Sequence, residues 1–169
     1  MQRVSLVQRL LVIVFTVAVG LNESFHAIFD GLQFMFNVEF VGTVLSMQST
    51  PEPESWRAID SSVVAFIAYA LIWLAHAASG ILCLIGAWIL WRSVKEAQTF
   101  SSSATLATAG VGIGCILYLL GFQAIAGGWF LLYQAPTPPN FIPQAQQLFL
   151  SYGAVLIYLQ IVTRQRGAA

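Results

Sequence analysis

Apolar residues come in long unbroken runs along this chain, not in the alternation of a half-buried strand. Four runs, roughly residues 10–29, 62–91, 104–133 and 144–163, are almost free of charge. Each reaches or exceeds the about 20 helical residues that cross the hydrocarbon of a bilayer. The pattern predicts an all-α membrane protein, a four-helix transmembrane bundle forming one integral membrane domain over residues 1–169. The second and third runs are longer than one crossing needs, so they tilt or project beyond the lipid. Arg3 and Arg9 ahead of a short apolar run have the look of a secretory leader, but the first run is expected to remain as a span.

Composition strengthens this reading. The chain is 58% hydrophobic and only 8% charged, whereas soluble domains are about a quarter charged. Membrane lipids are therefore its first expected partners. The net charge of zero conceals an asymmetry. Arg3, Arg9, Arg92, Lys95, Arg164 and Arg166 all flank one side of a four-span arrangement, and only Arg57 lies on the other. By the positive-inside rule both termini are expected to be cytoplasmic. Trp56 and residues 129–133 then mark the outer interface, and Trp88 and Trp91 the inner one. Cys83 and Cys115 sit in apolar runs without metal-ligand spacing and are read as free thiols in the core.

Between the first two runs lies an outer segment too short to cross again. It is expected to form an amphipathic helix on the outer surface, or to continue the first helix bent onto the bundle. The stretch PEPES ends it, and Ser55 or Asp60 is expected to cap the helix that follows. The other outer loop, QAPTPPNFIPQ, is proline-rich.

In the third run Gly110, Gly114, Gly121 and Gly128 fall within about 40° of one another at 100° per residue, a single glycine stripe. In the second, Ala65, Ala68, Ser79, Gly80, Cys83 and Ala87 make a matching small face with Tyr69 and His76 among them. Small faces let backbones approach closely where lipid supplies no hydrophobic drive. A groove for a flat ligand or a partner's helix is the alternative use. GVGIGC lies within a span with no strand before it and is not a phosphate loop.

At about 1.5 Å per residue, Glu23 and His26 lie about 21 and 26 Å from Arg9, His76 about 24 Å from Arg92, and Gln147 about 26 Å from Arg164. With Gln123 they define a polar layer in the outer third of the bundle. Thr16, Gly20, Glu23, Ala27 and Asp30 share one face of the first helix, with His26 beside it. A charge at this depth is costly, so Glu23 is expected to be protonated or paired with His26. Three readings follow. The layer is a structural hydrogen-bond network, or a cofactor or metal site with His26 and His76 as axial haem ligands or joined by Glu23 around a metal, or a proton or solute path through Glu23, His26 and His76. No metal set beyond these residues is spaced for binding, and no cofactor is expected on the first reading.

Motifs for nucleophilic and metallohydrolase chemistry are absent, and seven scattered basic residues exclude a nucleic-acid partner. No internal repeat or paired helix break speaks for a secondary transporter.

Two strings are more specific. FxxNxxFVxxVLSM spans Phe34, Asn37, Phe40, Val41, Val44, Leu45, Ser46 and Met47, and is followed by WRAI at Trp56, Arg57, Ala58 and Ile59. Later, GFxxIxGxWF spans Gly121, Phe122, Ile125, Gly127, Trp129 and Phe130. With these motifs the chain resembles a bacterial family of predicted small integral membrane proteins, a four-span domain of unknown function. The resemblance covers most of the chain and implies fold and topology but no activity, and a bacterial inner (cytoplasmic) membrane location is expected. It departs from the family at Thr43, where His is usual, at Gln48, where Asp is, and at His76 and Gly128, where Glu is. Chemistry resting on those ionisable groups does not carry over, whereas a packing role does.

The expected function is a non-catalytic accessory or scaffold subunit, not an enzyme, binding other integral membrane subunits of a larger complex, with a respiratory or photosynthetic host suggested by size and class. Phe29, Phe34, Phe36 and Phe40 are its candidate contact residues. A small transporter, or a haem- or metal-binding electron carrier built on the polar layer, is the alternative.

Overall fold

A computed structural model describes residues 4–50, 55–135 and 141–164 of the chain. Among these residues there are helices and no strands, and four helices are long and apolar enough to cross a membrane: Leu6–Leu32, Ser62–Ser93, Gln98–Trp129 and Ile142–Arg164. Arg3, Glu52, Glu54 and Arg166, the PEPES prolines, and Pro136, Pro138 and Pro139 of the second long loop lie outside the described residues.

Helix α1, Leu6–Leu32, starts at a capping box in which Ser5 Oγ accepts from Gln8 N and Gln8 Oε1 accepts from Ser5 N. The box satisfies two amide donors that the first turn leaves without partners. Arg9, expected ahead of the span, lies inside its first turn and is 9% exposed. Its guanidinium donates to Val94 O at 2.7 Å and Val4 O at 3.1 Å. A cation on the last carbonyls of a helix is favourable, so Arg9 ties the start of α1 to the end of α3, Ser62–Ser93.

The chain bends at Gln33 straight into α2, Phe34–Leu45. The bent continuation is thus the form realised. Asn37 Nδ2 donates to Asp30 O at 3.4 Å and to Tyr69 OH at 2.8 Å, and the Tyr69 hydroxyl donates to Asp30 O at 3.0 Å. These bonds satisfy a carbonyl freed by the bend and fasten α2 across α3. Val38, Val44, Leu45 and Met47 are buried there with Ala65, Tyr69 and residues 130–132. Met47 and Leu131 both have φ of 56°, a left-handed conformation costing about 1–2 kcal/mol for a residue with a Cβ. Met47 at 0% exposure and Leu131 at 8% offset it by burial. Helix α3 is capped by Ser61, whose Oγ accepts from Val64 N. Ser55 instead accepts from the Arg57 amide and Nε, so neither it nor Asp60 is the cap.

After the short α4, Ala97–Ser102, the third span runs as α5, Thr105–Ile116, and then widens over Leu117–Trp129 into a helix with bonds five residues apart, such as Phe130 N to Ile125 O at 3.0 Å. Wide turns of this kind are rare and alter which side chains share a face. A 3₁₀ turn, Leu132–Gln134, precedes α6, Ile142–Arg164. Helix α1 packs along α3, α3 along α5, and α6 closes the bundle against the third span and α1.

The closest helix crossings use small residues. A Cβ on Gly86 would lie 2.8 Å from Ala107 Cα, one on Gly110 2.7 Å from Cys83 N, and one on Gly114 2.8 Å from the Tyr152 ring. The same atom on Gly121 would meet only Leu117 of its own helix, at 3.4 Å, and on Gly128 only Gln123 O, at 3.5 Å. The expected glycine stripe therefore serves α3 and α6 in its first half alone. Beyond Ile116 the widened helix breaks the 100° spacing on which the single stripe depended.

Candidate functional site

Glu23 lies on the face of α1 shared by Thr16 and Gly20 and is 0% exposed. Three polar side chains reach it from three other spans. Tyr152 OH of α6 donates to Oε1 at 2.7 Å and Tyr118 OH of the third span to Oε1 at 2.9 Å. His76 Nδ1 of α3 is hydrogen-bonded to Oε2 at 2.8 Å. Asn22 Nδ2 donates in turn to Tyr152 OH at 2.8 Å. A polar group in hydrocarbon costs several kcal/mol unless satisfied within the protein. Here both oxygens are occupied, and one side chain joins all four spans.

The expected polar layer is only partly realised. Glu23 and His76 meet, and the partner of Glu23 is His76, not the expected His26. The His26 ring stacks on that of His76, with centroids 5.1 Å apart and planes at 26°. Gln147 faces outward, and its contact is the backbone carbonyl that accepts from Ser151. Gln123 Nε2 is buried without a partner. Tyr118 and Tyr152 take their places, and nothing in the hydropathy pattern marked them, because a tyrosine in an apolar run reads as one more large apolar side chain.

The histidine geometry also decides how the site can accept a cofactor. Axial imidazoles approach a haem iron through ring nitrogens from opposite sides. Two rings stacked face to face leave no slot for a porphyrin, and His76 Nδ1 is already committed to Glu23, so these residues do not fit a haem. Among the described residues no group of three or more His, Cys, Asp or Glu side chains converges as for a metal ion. Cys83 and Cys115 are buried and free.

Toward the end of the bundle holding α2, the network borders a cavity of about 230 Å³ reached by His26, Asp30, Asn37, Tyr69, His76 and Gln144. Toward the termini it gives way to a tight apolar cluster in which Val12, Leu90, Ala107 and Leu159 are at most 1% exposed. Among the described residues the site thus meets a cavity on its α2 side and tight apolar packing on the side of the termini.

The motif residues assemble around the same end. Asn37 clamps the bend, and Ser46 and Met47 close the segment after α2. Ile59 N donates to Leu45 O at 2.8 Å. Trp56 meets Trp129 edge to face at 5.7 Å, and Phe130 packs in the cluster that holds Met47. Strings more than sixty residues apart therefore build one structural cap. Residues 8–162 match the family described as "Predicted small integral membrane protein (DUF2165)". The chain belongs to this family. As a DUF2165 member it is an integral membrane protein, and its four spans put it in contact with lipid. No curated protein and no solved structure matches it.

Proposed function

We propose that the protein is a non-catalytic accessory or scaffold subunit of a larger bacterial inner-membrane complex, such as a respiratory or photosynthetic one, with both termini cytoplasmic. The observation that carries this reading is the closed knot at Glu23. Its oxygens are bonded to three spans, and the apolar cluster seals the bundle beneath it. Such a core holds one shape and offers no activated nucleophile. A rigid bundle with a small soluble mass suits a subunit that orders its neighbours.

The contact surface consists of Phe29 and Phe36, at 61% and 67% exposure, with Leu32 and Met35 between them. Phe34 and Phe40 do not belong to it. Phe34 packs against Phe66, Tyr69 and Trp73, and Phe40 against Phe141. Native mass spectrometry of protein released gently from its own membrane tests the proposal. Recovery in fixed ratio with other subunits supports it, and recovery alone or as a homo-oligomer contradicts it.

A small transporter is the second reading, favoured by the cavity beside His26 and His76. A solute path has to breach the Val12–Leu90–Leu159 cluster, which weighs against it. Solute flux in proteoliposomes that is lost in Glu23→Gln establishes transport, and an absence of flux rejects it.

A further inference from the structure

The cavity beside the Glu23 knot has polar capacity that the knot does not use. Asp30 lines it and is its one formal negative charge, and no Lys or Arg lines it. The Asp30 backbone carbonyl is engaged by Asn37 and Tyr69, but among the described residues no group donates to its carboxylate. Asn37 spends both amide hydrogens on Asp30 O and Tyr69 OH, so its remaining capacity is the acceptor Oδ1. The Tyr69 and Tyr118 hydroxyl hydrogens are likewise committed. What is left is the Asp30 carboxylate and Asn37 Oδ1 as acceptors, with the Gln144 amide and the His26 and His76 rings, which can accept as well as donate, surrounded by the rings of Phe40, Phe122 and Phe141. Phe40, Val41, Ile72 and Phe122 also line an adjoining groove of about 410 Å³ whose remaining walls are apolar.

We infer that the cavity binds the ammonium group of a protonated aliphatic amine, with the hydrocarbon chain lying in the adjoining groove. A carboxylate without an internal donor, acceptors around it and aromatic faces nearby all favour a cation carrying N–H groups. An anion meets no Lys or Arg there, and it meets the Asp30 carboxylate. A divalent metal meets too few ligands. The ammonium belongs to a free lipophilic amine or to the headgroup of an aminolipid. This site is independent of the subunit role, and neither depends on the other.

The test titrates full-length protein in maltoside micelles with octylamine at neutral pH, using octanol and octanoate as chain-matched controls. Octylamine binds saturably at one site per chain and the controls do not. Asp30→Asn weakens binding roughly tenfold to a hundredfold, as expected for a lost charge-assisted hydrogen bond. Asp30→Glu retains most of it. Glu39→Gln removes an exposed carboxylate that does not line the cavity and leaves binding unchanged. Affinity rises from butylamine to octylamine in the unaltered protein, a readout that holds even where a variant does not fold. An aminophospholipid that is retained through purification and displaced by octylamine identifies the headgroup source. Octylamine binding with no retained aminolipid identifies a free amine. The inference is overturned by equal binding of octanol, by a folded Asp30→Asn protein of unchanged affinity, by no dependence on chain length, or by no saturable binding.

Discussion

Tyr152 and Glu23 are separated by 129 positions in the chain, yet the hydroxyl of one lies 2.7 Å from Oε1 of the other, inside the bundle. Two elements that lipid does not drive together are joined by a bond between buried side chains, Glu23 at 0% and Tyr152 at 4% exposure. The consequences can be measured.

Glu23→Ala leaves two hydroxyls and an imidazole buried without their acceptor. Removing one partner of a buried network costs about 3–5 kcal/mol, so the variant should lose most of its stability in detergent. Glu23→Gln keeps the volume and one acceptor and should cost less. Denaturant titration of helicity in mixed micelles compares the two, and equal loss would show that the carboxylate itself, rather than the volume of the side chain or one remaining acceptor, matters at this position.

Tyr152→Phe removes the bond to Glu23 and strands Asn22, whereas Tyr118→Phe removes one bond only. Single hydrogen bonds in membrane interiors are worth about 0.6 kcal/mol on average. Tyr152→Phe should therefore be the more destabilising of the two, by a margin of about one such bond. The reverse order would contradict the assignment of Asn22.

Glycine substitutions should separate into two classes. Gly86→Ala and Gly110→Ala press a methyl into the backbone of a neighbouring helix and should cost about 1–3 kcal/mol. Gly112→Ala meets nothing within 4 Å and should be neutral or slightly stabilising, given alanine's better helix propensity. Thermal unfolding of the three variants checks the division.

Asn37→Leu removes the clamp at the bend between α1 and α2. The first turns of α2 should then open locally, giving faster amide exchange over residues 34–40 while exchange in α5 is unchanged. Uniform acceleration would mean that the bend is fixed by packing of Val38 and Leu45 instead.

Much of this architecture is legible in the residue pattern, because length and apolarity alone determine that a helix crosses. The level of Glu23 and His76 follows from helical rise, and their meeting bears that out. Depth along a helix does not say which way a side chain points, however. Gln147 comes out at the right level and faces away. The direction of the third span's residues depends on a widened helix at Leu117–Trp129 that no periodicity announces, and this divides the glycine stripe. Tyr118 and Tyr152 were legible only in retrospect. Each is a large aromatic in an apolar run, and its role appears only when a buried carboxylate on another helix needs donors. Gly86, the tightest contact on α3, lay outside the small face read from the sequence.

A double-mutant cycle on Glu23 and Tyr152 tests the knot most directly. Stability is measured for the unaltered protein, Glu23→Ala, Tyr152→Phe and the pair. If Glu23 holds the spans together through these bonds, the two changes are non-additive by about 0.5–3 kcal/mol, because Tyr152→Phe costs little once the carboxylate is gone. Additive losses would mean that the two side chains do not interact, and that the Glu23 knot does not hold α6 to α1.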